Sequence, residues 1–187
     1  MNKISLHDLL YIAGFLDGDG CIMAQLITRS DYKMGFQIRL TIQFTQLLKR
    51  RIYLDKLKEI VGVGYIRERG ALCDYIITEP KNVYTFLKAI QPCLRIKQKQ
   101  ANLVLTIIEQ LPLAKGSPTK FIELAHLVDH VASLNDSKTR KVTAQVVESS
   151  LLGCFVSKHP SRARVQAHVA QPLKKEKLEV KIPDILA

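Results

Sequence analysis

A chain of 187 residues with 47% hydrophobic content can bury one real core and is short for two, which excludes global disorder. Lys and Arg number 28 against 17 Asp and Glu, a net charge of +11, so composition favours a polyanionic partner: nucleic acid first, an acidic membrane surface second. No apolar run reaches the roughly 18 residues of a membrane span, and the start lacks a charged-then-apolar signal pattern, so no membrane partner is expected and an intracellular or organelle-made protein is.

The first predicted element is a helix approaching Leu16. Leu6, Leu9, Leu10, Ile12, Ala13, Phe15 and Leu16 are apolar and cover most of its faces. Such a helix is buried against its own domain on one side and against something else on the other. Ala13 and Gly14 are small and adjacent, which lets another backbone approach. Gly18 and Gly20 end the helix and set Asp19 at a tip. Asp17, two residues before Asp19, reads as a helix-end cap and packing residue.

Cys21–Arg29 then alternates. Ile22, Ala24, Leu26 and Thr28 share one face; Cys21, Met23, Gln25, Ile27 and Arg29 share the other. A polar turn with Tyr32 leads to Phe36–Thr45, the most regular strand. Phe36, Ile38, Leu40, Ile42 and Phe44 alternate with Gln37, Arg39, Thr41, Gln43 and Thr45. The amide and guanidinium face is either an ordinary solvated face or one suited to base edges, since Arg pairs bidentately with guanine and Gln with adenine. Gln46–Val61 reads as a helix with Lys49, Arg50 and Arg51 exposed, stopped by Gly62. A second hairpin, residues 64–78, places Tyr65, Arg67 and Arg69 on one face with Asp74 and Ile76 across from them. Glu79-Pro80 opens a helix that Pro92 ends. Lys97–Leu111 is a further helix, and Ser117-Pro118 starts the next as N-cap and first helical residue. Asn135–Lys141 is a basic turn into a last helix, Val142–Leu152. Lys138, Arg140 and Lys141 read as solvated charge or as phosphate contacts.

The architecture expected is therefore α+β: a helix-hairpin-helix-hairpin-helix core whose antiparallel four-stranded sheet has helices on one face and the other face free, followed by C-terminal helices. The domain is expected over residues 1–156. From 157 to 187 the prolines and the run Lys174-Lys175-Glu176-Lys177 suggest a basic, poorly ordered tail. Cys21, Cys73, Cys93 and Cys154 lack C-x-x-C spacing. His126 and His130 are four apart on a helix but lack the further ligands of a zinc site.

Ile12-Ala13-Gly14-Phe15-Leu16-Asp17-Gly18-Asp19-Gly20 resembles the motif of the LAGLIDADG homing endonucleases. Further segments resemble the single-motif, homodimeric members encoded in group I introns of algal chloroplast ribosomal RNA genes. These are Gln43-Phe44-Thr45-Gln46, Arg50-Arg51, Leu54-Asp55-Lys56-Leu57, Gly62-Val63-Gly64-Tyr65, the run from Lys97 to Leu105 and the run from Leu134 to Lys141, in the family's order and spacing. The resemblance implies the LAGLIDADG fold, with the free sheet face as a concave saddle on double-stranded DNA. On that saddle it sets Met23, Gln25, Ile27, Arg29, Tyr32, Gln37, Arg39, Gln43, Tyr65, Arg67, Arg69, Asp74 and Ile76, joined by Lys138, Thr139 and Lys141. It implies that Asp19 and the Gly18 carbonyl serve Mg²⁺ or Mn²⁺, and that Gln46, Arg50 and Lys97 surround the attacked phosphate as catalytic residues with Asp19.

No second copy of the acidic motif occurs, so two chains are implied, meeting through Ile12, Ala13, Gly14, Leu16 and Asp17. The function implied is a homing endonuclease making a staggered double-strand break in a long pseudo-palindromic site, in an organelle, the chloroplast by resemblance. The alternatives are a non-cleaving relative acting as an intron RNA maturase or DNA-binding regulator, with intron RNA as a further partner, and a basic ribosomal structural protein without metal dependence.

Overall fold

The computed structural model describes residues 3–135 and 140–158, with side chains to residue 153. Helix α1 (Leu6–Asp19) is followed by strands β1 (Gly20–Thr28) and β2 (Phe36–Leu47), helix α2 (Arg51–Val61) and strands β3 (Tyr65–Arg69) and β4 (Leu72–Ile77). Helices α3 (Pro80–Ile90), α4 (Gln98–Ala114), α5 (Pro118–Leu134) and α6 (Ala144–Lys158) complete it. The strands form one antiparallel sheet in the order β1-β2-β4-β3. The α+β class and the hairpin pairings expected from alternation are those observed.

Period-two patterning decides which face is covered. Ile22, Ala24 and Leu26 of β1 and all five expected apolar residues of β2 are buried under the helices. Phe44 sits at the centre of that layer, its ring 5.3 Å from Phe15 of α1, 5.9 Å from Tyr75 of β4 and 6.4 Å from Phe86 of α3. These contacts hold α1 by its buried side, so its C-terminal end is fixed relative to the sheet. Gly20 begins β1 where a Cβ would lie 2.5 Å from a Leu16 methyl, so no side chain fits. Gly62 closes α2 in the left-handed conformation at φ 78°, as its position predicted.

Three expectations are corrected. Residues 46 and 47 are strand, not helix: β2 continues through Leu47, opposite Cys73 and Leu72, and α2 starts only at Arg51 after a single 3-10 turn. The long ladder to β4 claims the backbone groups that a helix would have used. Lys97 is the residue preceding α4 rather than its first, and α4 runs on to Ala114 with Pro112 inside its last turn. Helix α6 begins at Ala144, where Thr143 accepts a backbone hydrogen bond from Val147, rather than at Val142.

Contacts divide the chain into one unit over Met1–Leu151 and another over Leu152–Ala187. The domain boundary expected at 156/157 lies at the end of the described residues, and the expected tail lies beyond it. Lys138 and Thr139 also lie outside them.

Candidate active site and nucleic-acid interface

The acidic tip of α1 gathers the first group of residues. Asp19 is the last helical residue and is exposed. The Gln46 side chain, carried there by the extended end of β2, donates from Nε2 to Asp19 Oδ2 at 3.3 Å. Lys97 reaches the same turn from the other side, its Nζ donating to the Asp17 carbonyl at 2.5 Å. The C-terminal end of a helix carries partial negative charge, so an ammonium and a metal cation are both favoured at this end. Arg50 is exposed before α2; among the described residues no hydrogen bond or ion pair ties it to Asp19, Gln46 or Lys97.

Asp17 behaves differently from the cap that the sequence led us to expect. Its carboxylate crosses to the segment before α4. Oδ2 accepts from the Arg95 and Ile96 amides at 2.7 and 3.2 Å, and Oδ1 accepts from the Lys97 amide at 2.9 Å. Burial alone would raise its pKa; these three backbone donors outweigh that, with help from the Lys97 charge, and hold the carboxyl below its ordinary value. Asp17 was expected at a dimer interface, and the structure spends it inside the protomer.

The same holds for most of that interface set. Ile12, Ala13 and Leu16 are buried in this chain's own core, because Phe44 and its neighbours take that side of α1. The row left outside is Leu6, Leu10 and Gly14, one turn apart, with Tyr11 beside it. Leu6, Leu10 and Tyr11 are 67, 55 and 66% exposed, and Ile96 nearby in the fold at 71%. A Cβ placed on Gly14 or Gly18 meets nothing within 4 Å, so the fold of one chain does not require glycine at either position.

The free sheet face carries the second group. Gln25 and Arg39 are cross-strand partners, and Arg39 donates to Gln25 Oε1 from Nη2 at 2.8 Å and Nε at 3.3 Å. Gln37, Gln43, Met23 and Ile27 are half-buried on the same face. At the hairpin tip Arg29 grips Asp31 through two 2.8 Å hydrogen bonds and lies over the Tyr32 ring. That pair is exposed, so a phosphate can replace the carboxylate at little cost.

Across β3 and β4 the arrangement turns on Asp74. The register sets Arg67 opposite it, with Tyr65 opposite Ile76, as alternation predicted. The Asp74 side chain is fully buried, however, and accepts from Arg67 Nη2 and Arg69 Nε at 2.9 Å, Thr45 Oγ1 at 2.8 Å and Gln43 Nε2 at 3.0 Å. Burial would push its carboxyl up, yet the bonds from Arg69, Thr45 and Arg67 hold it at about 2. Asp74 and the buried Ile76 therefore form a floor rather than a contact surface. The half-exposed Arg67 and Arg69, and the 47% exposed Tyr65, stand on it. Beside β1 the turn after α5 is pinned by Asn135, whose Nδ2 donates to the Ile22 carbonyl at 2.7 Å. The exposed Lys141 and Arg140 line one cleft with Asn135, Met23, Gln25, Ile27 and Arg39; Arg140 is itself paired with Asp129 at 2.5 Å. The Asn135 bond spans 113 residues of sequence and the Arg140–Asp129 bond 11, and no local pattern marks either.

A model of the family described as LAGLIDADG endonuclease matches residues 12–110, and the DNA endonuclease I-CreI of Chlamydomonas reinhardtii is 56% identical over 149 residues, covering 80% of this chain and 91% of that protein. The chain belongs to the LAGLIDADG endonuclease family. The DNA endonuclease I-CvuI of Chlorella vulgaris is 36% identical over 155 residues, 81% of this chain and 96% of that one. A crystal structure of I-CvuI bound to the I-CreI target in the presence of Mg superposes with a TM-score of 0.77 at 34% identity, covering 81% of this chain and 98% of that one. In this LAGLIDADG endonuclease the family's acidic motif is thus the end of α1, and the saddle is the polar face of the sheet.

Proposed function

We infer that this chain is a site-specific homing endonuclease. It binds a long pseudo-palindromic double-stranded DNA target as a homodimer and hydrolyses one phosphodiester per strand with divalent metal, leaving a staggered break that promotes intron mobility. The observation that carries the reading is the convergence of Asp19, Gln46 and Lys97 on one exposed helix end, at the rim of a polar face bearing Arg39, Arg67 and Arg69. Binding alone, as in a maturase or a regulator, requires no such convergence.

The homodimer rests on α1. Its exposed row of Leu6, Leu10 and Gly14, with Tyr11 and Ile96, is an apolar surface on a strongly charged protein, and Gly14 and Gly18 leave room for a second backbone. Packing two α1 helices about a two-fold axis covers that row and brings the two Asp19 residues together.

The donor set fits a hard cation only in that dimer. Among the described residues no group of three or more His, Cys, Asp or Glu side chains exists that could hold a metal, so one Asp19 does not make a site. Two Asp19 carboxylates, the adjacent Gly18 carbonyls and DNA phosphate oxygens match the preference of Mg²⁺ (or Mn²⁺) for few carboxylates plus phosphate and water. Bound there, the cation supplies an activated water and neutralises charge on the phosphate. Gln46, already bonded to Asp19, orients the carboxylate and the water network. Lys97 and Arg50 place positive charge where the phosphorane develops. The flanking bases are read by Gln25, Gln37, Arg39, Gln43, Arg67 and Arg69 in the major groove, with Lys138, Thr139 and Lys141 on phosphates. The working domain spans residues 1–156, and 157–187 add basic charge. The action is in an organelle, the chloroplast by the family resemblance.

The test is a digest of plasmids carrying the I-CreI target and a randomised-site library, with Mg²⁺ and with chelator. The expected result is metal-dependent linearisation with a short stagger. Asp19→Asn should abolish cutting and keep specific binding, since binding rests on the many sheet contacts. Cutting by Asp19→Asn at the parent rate refutes the assignment.

A further inference from the structure

We propose that Asp17 is a positioning residue for the cleavage step: its carboxylate locks the segment 95–97 against the end of α1 and so delivers the Lys97 ammonium beside Asp19. This rests on the reading of the chain as a nuclease and adds to it a residue outside the group that meets the phosphate.

Asp17 and Lys97 are joined twice, with Lys97 the donor each time, once from its backbone and once from its side chain. The Asp17 carboxylate accepts the backbone amides of three consecutive residues, Arg95, Ile96 and Lys97. The Lys97 ammonium also donates to the Asp17 carbonyl. The residues joined are 78 to 80 apart in sequence, so nothing local maintains the contact. Arg95 and Ile96 are exposed, and among the described residues no other acceptor holds those two amides. Lys97 precedes α4 without a side-chain cap, and the Asp17 carboxylate lies just before the positive N-terminal end of that helix, where a negative charge is favoured.

The consequence for the site is geometric. Asp17, Gly18 and Asp19 are successive residues of one helical turn, so the group that anchors Lys97 and the group that meets the metal move as one body. Gln46 holds that turn from the strand side and Asp17 holds α4 to it from the other. A long, flexible lysine is thereby given a fixed root and a resting acceptor one residue away from the Gly18 carbonyl. Swinging from the Asp17 carbonyl to a phosphate requires only side-chain rotation. Without the carboxylate the 95–97 segment loses its three anchors, and the ammonium samples positions away from the phosphate. Misplacement of this kind lowers the rate of a positioned reaction while leaving remote binding contacts intact.

The test uses the full chain with Asp17→Asn, Lys97→Ala and the double variant, measured as single-turnover cleavage at saturating protein and as DNA affinity with Ca²⁺ in place of Mg²⁺. Expected are a cleavage rate lower by about 10- to 100-fold for Asp17→Asn, affinity within about 3-fold of the parent, and no further loss on combining it with Lys97→Ala. Hydrogen exchange without DNA reports on the clasp itself: the amides of residues 95–97 should be protected in the parent and in Lys97→Ala, and less protected in Asp17→Asn, whose side chain keeps one acceptor oxygen and loses the charge. A role confined to stability predicts equal losses in affinity and rate, additive with Lys97→Ala. That result, or Asp17→Asn cutting at the parent rate, overturns the proposal alone. A parent that cuts no site with Mg²⁺ overturns the nuclease reading and this inference with it.

Discussion

Arg39 is the residue best placed to separate base reading from phosphate tracking. It stands exposed on the most regular strand, its guanidinium held in orientation by Gln25 Oε1 and therefore pre-set rather than free to rotate. Against a guanine edge it is worth about 1–3 kcal/mol. Arg39→Ala should relax preference at one position of each half-site, symmetrically, in a randomised-site cleavage profile; uniform weakening at all positions would make it a phosphate contact. Asp74 yields a pH prediction. Its pKa near 2 lies below the ordinary 3.8, so ionised Asp74 adds stability at and above about pH 4 and loses it as pH falls from 4 through 2. The shift corresponds to about 2 kcal/mol. The stability gap between the parent and Asp74→Asn in urea unfolding should therefore narrow by about that amount between pH 5 and pH 2. A gap constant across that range would mean that Arg67 and Arg69 do not hold the carboxylate in solution.

At the level of elements, α1 and β2 each do two jobs. One side of α1 is closed by Phe44 and its neighbours in a single core, while the row Leu6, Leu10 and Gly14 remains outside. A Cβ at Gly14 meets no atom of its own chain within 4 Å, so with Gly14→Leu the protomer should keep its fold and its melting temperature within a few degrees. The same side chain between two packed α1 helices prevents close approach. Light scattering should then report monomer for Gly14→Leu and dimer for the parent, with cutting lost in the variant. Strand β2 is long because its last residues still pair with β4, and that extension is what brings Gln46 to Asp19.

For the whole molecule, charge sets the association. A +11 chain, doubled in the proposed dimer, should displace many counterions from a phosphate backbone. The logarithm of affinity should fall with the logarithm of salt concentration with a slope of several units, measured by fluorescence anisotropy on the specific site. Removing residues 157–187 should lower affinity modestly for all sequences and leave the preferred site unchanged. A flat salt response would argue against a protein that tracks phosphates over a long site.

Local chemistry wrote the hairpins, the buried face and the helix stops into the sequence, because alternation of apolar and polar residues and a glycine after a periodic run act over a few residues. The acidic motif was legible for the same reason: Asp19 between two glycines at the end of an apolar helix needs no distant partner to be seen. What only the tertiary structure decided were the relations between distant segments. Asp17 looked like a cap for its own helix and proved to hold residues 95–97; Asp74 looked like a surface reader and proved to be the buried floor under two arginines. Ile12 and Leu16 looked available to a partner chain and were consumed by the core beneath them. A carboxylate's role depends on which donors reach it, and an apolar side chain's on which face of its helix meets the sheet first. Both are set by packing across tens of residues, a distance over which sequence pattern carries no physical signal.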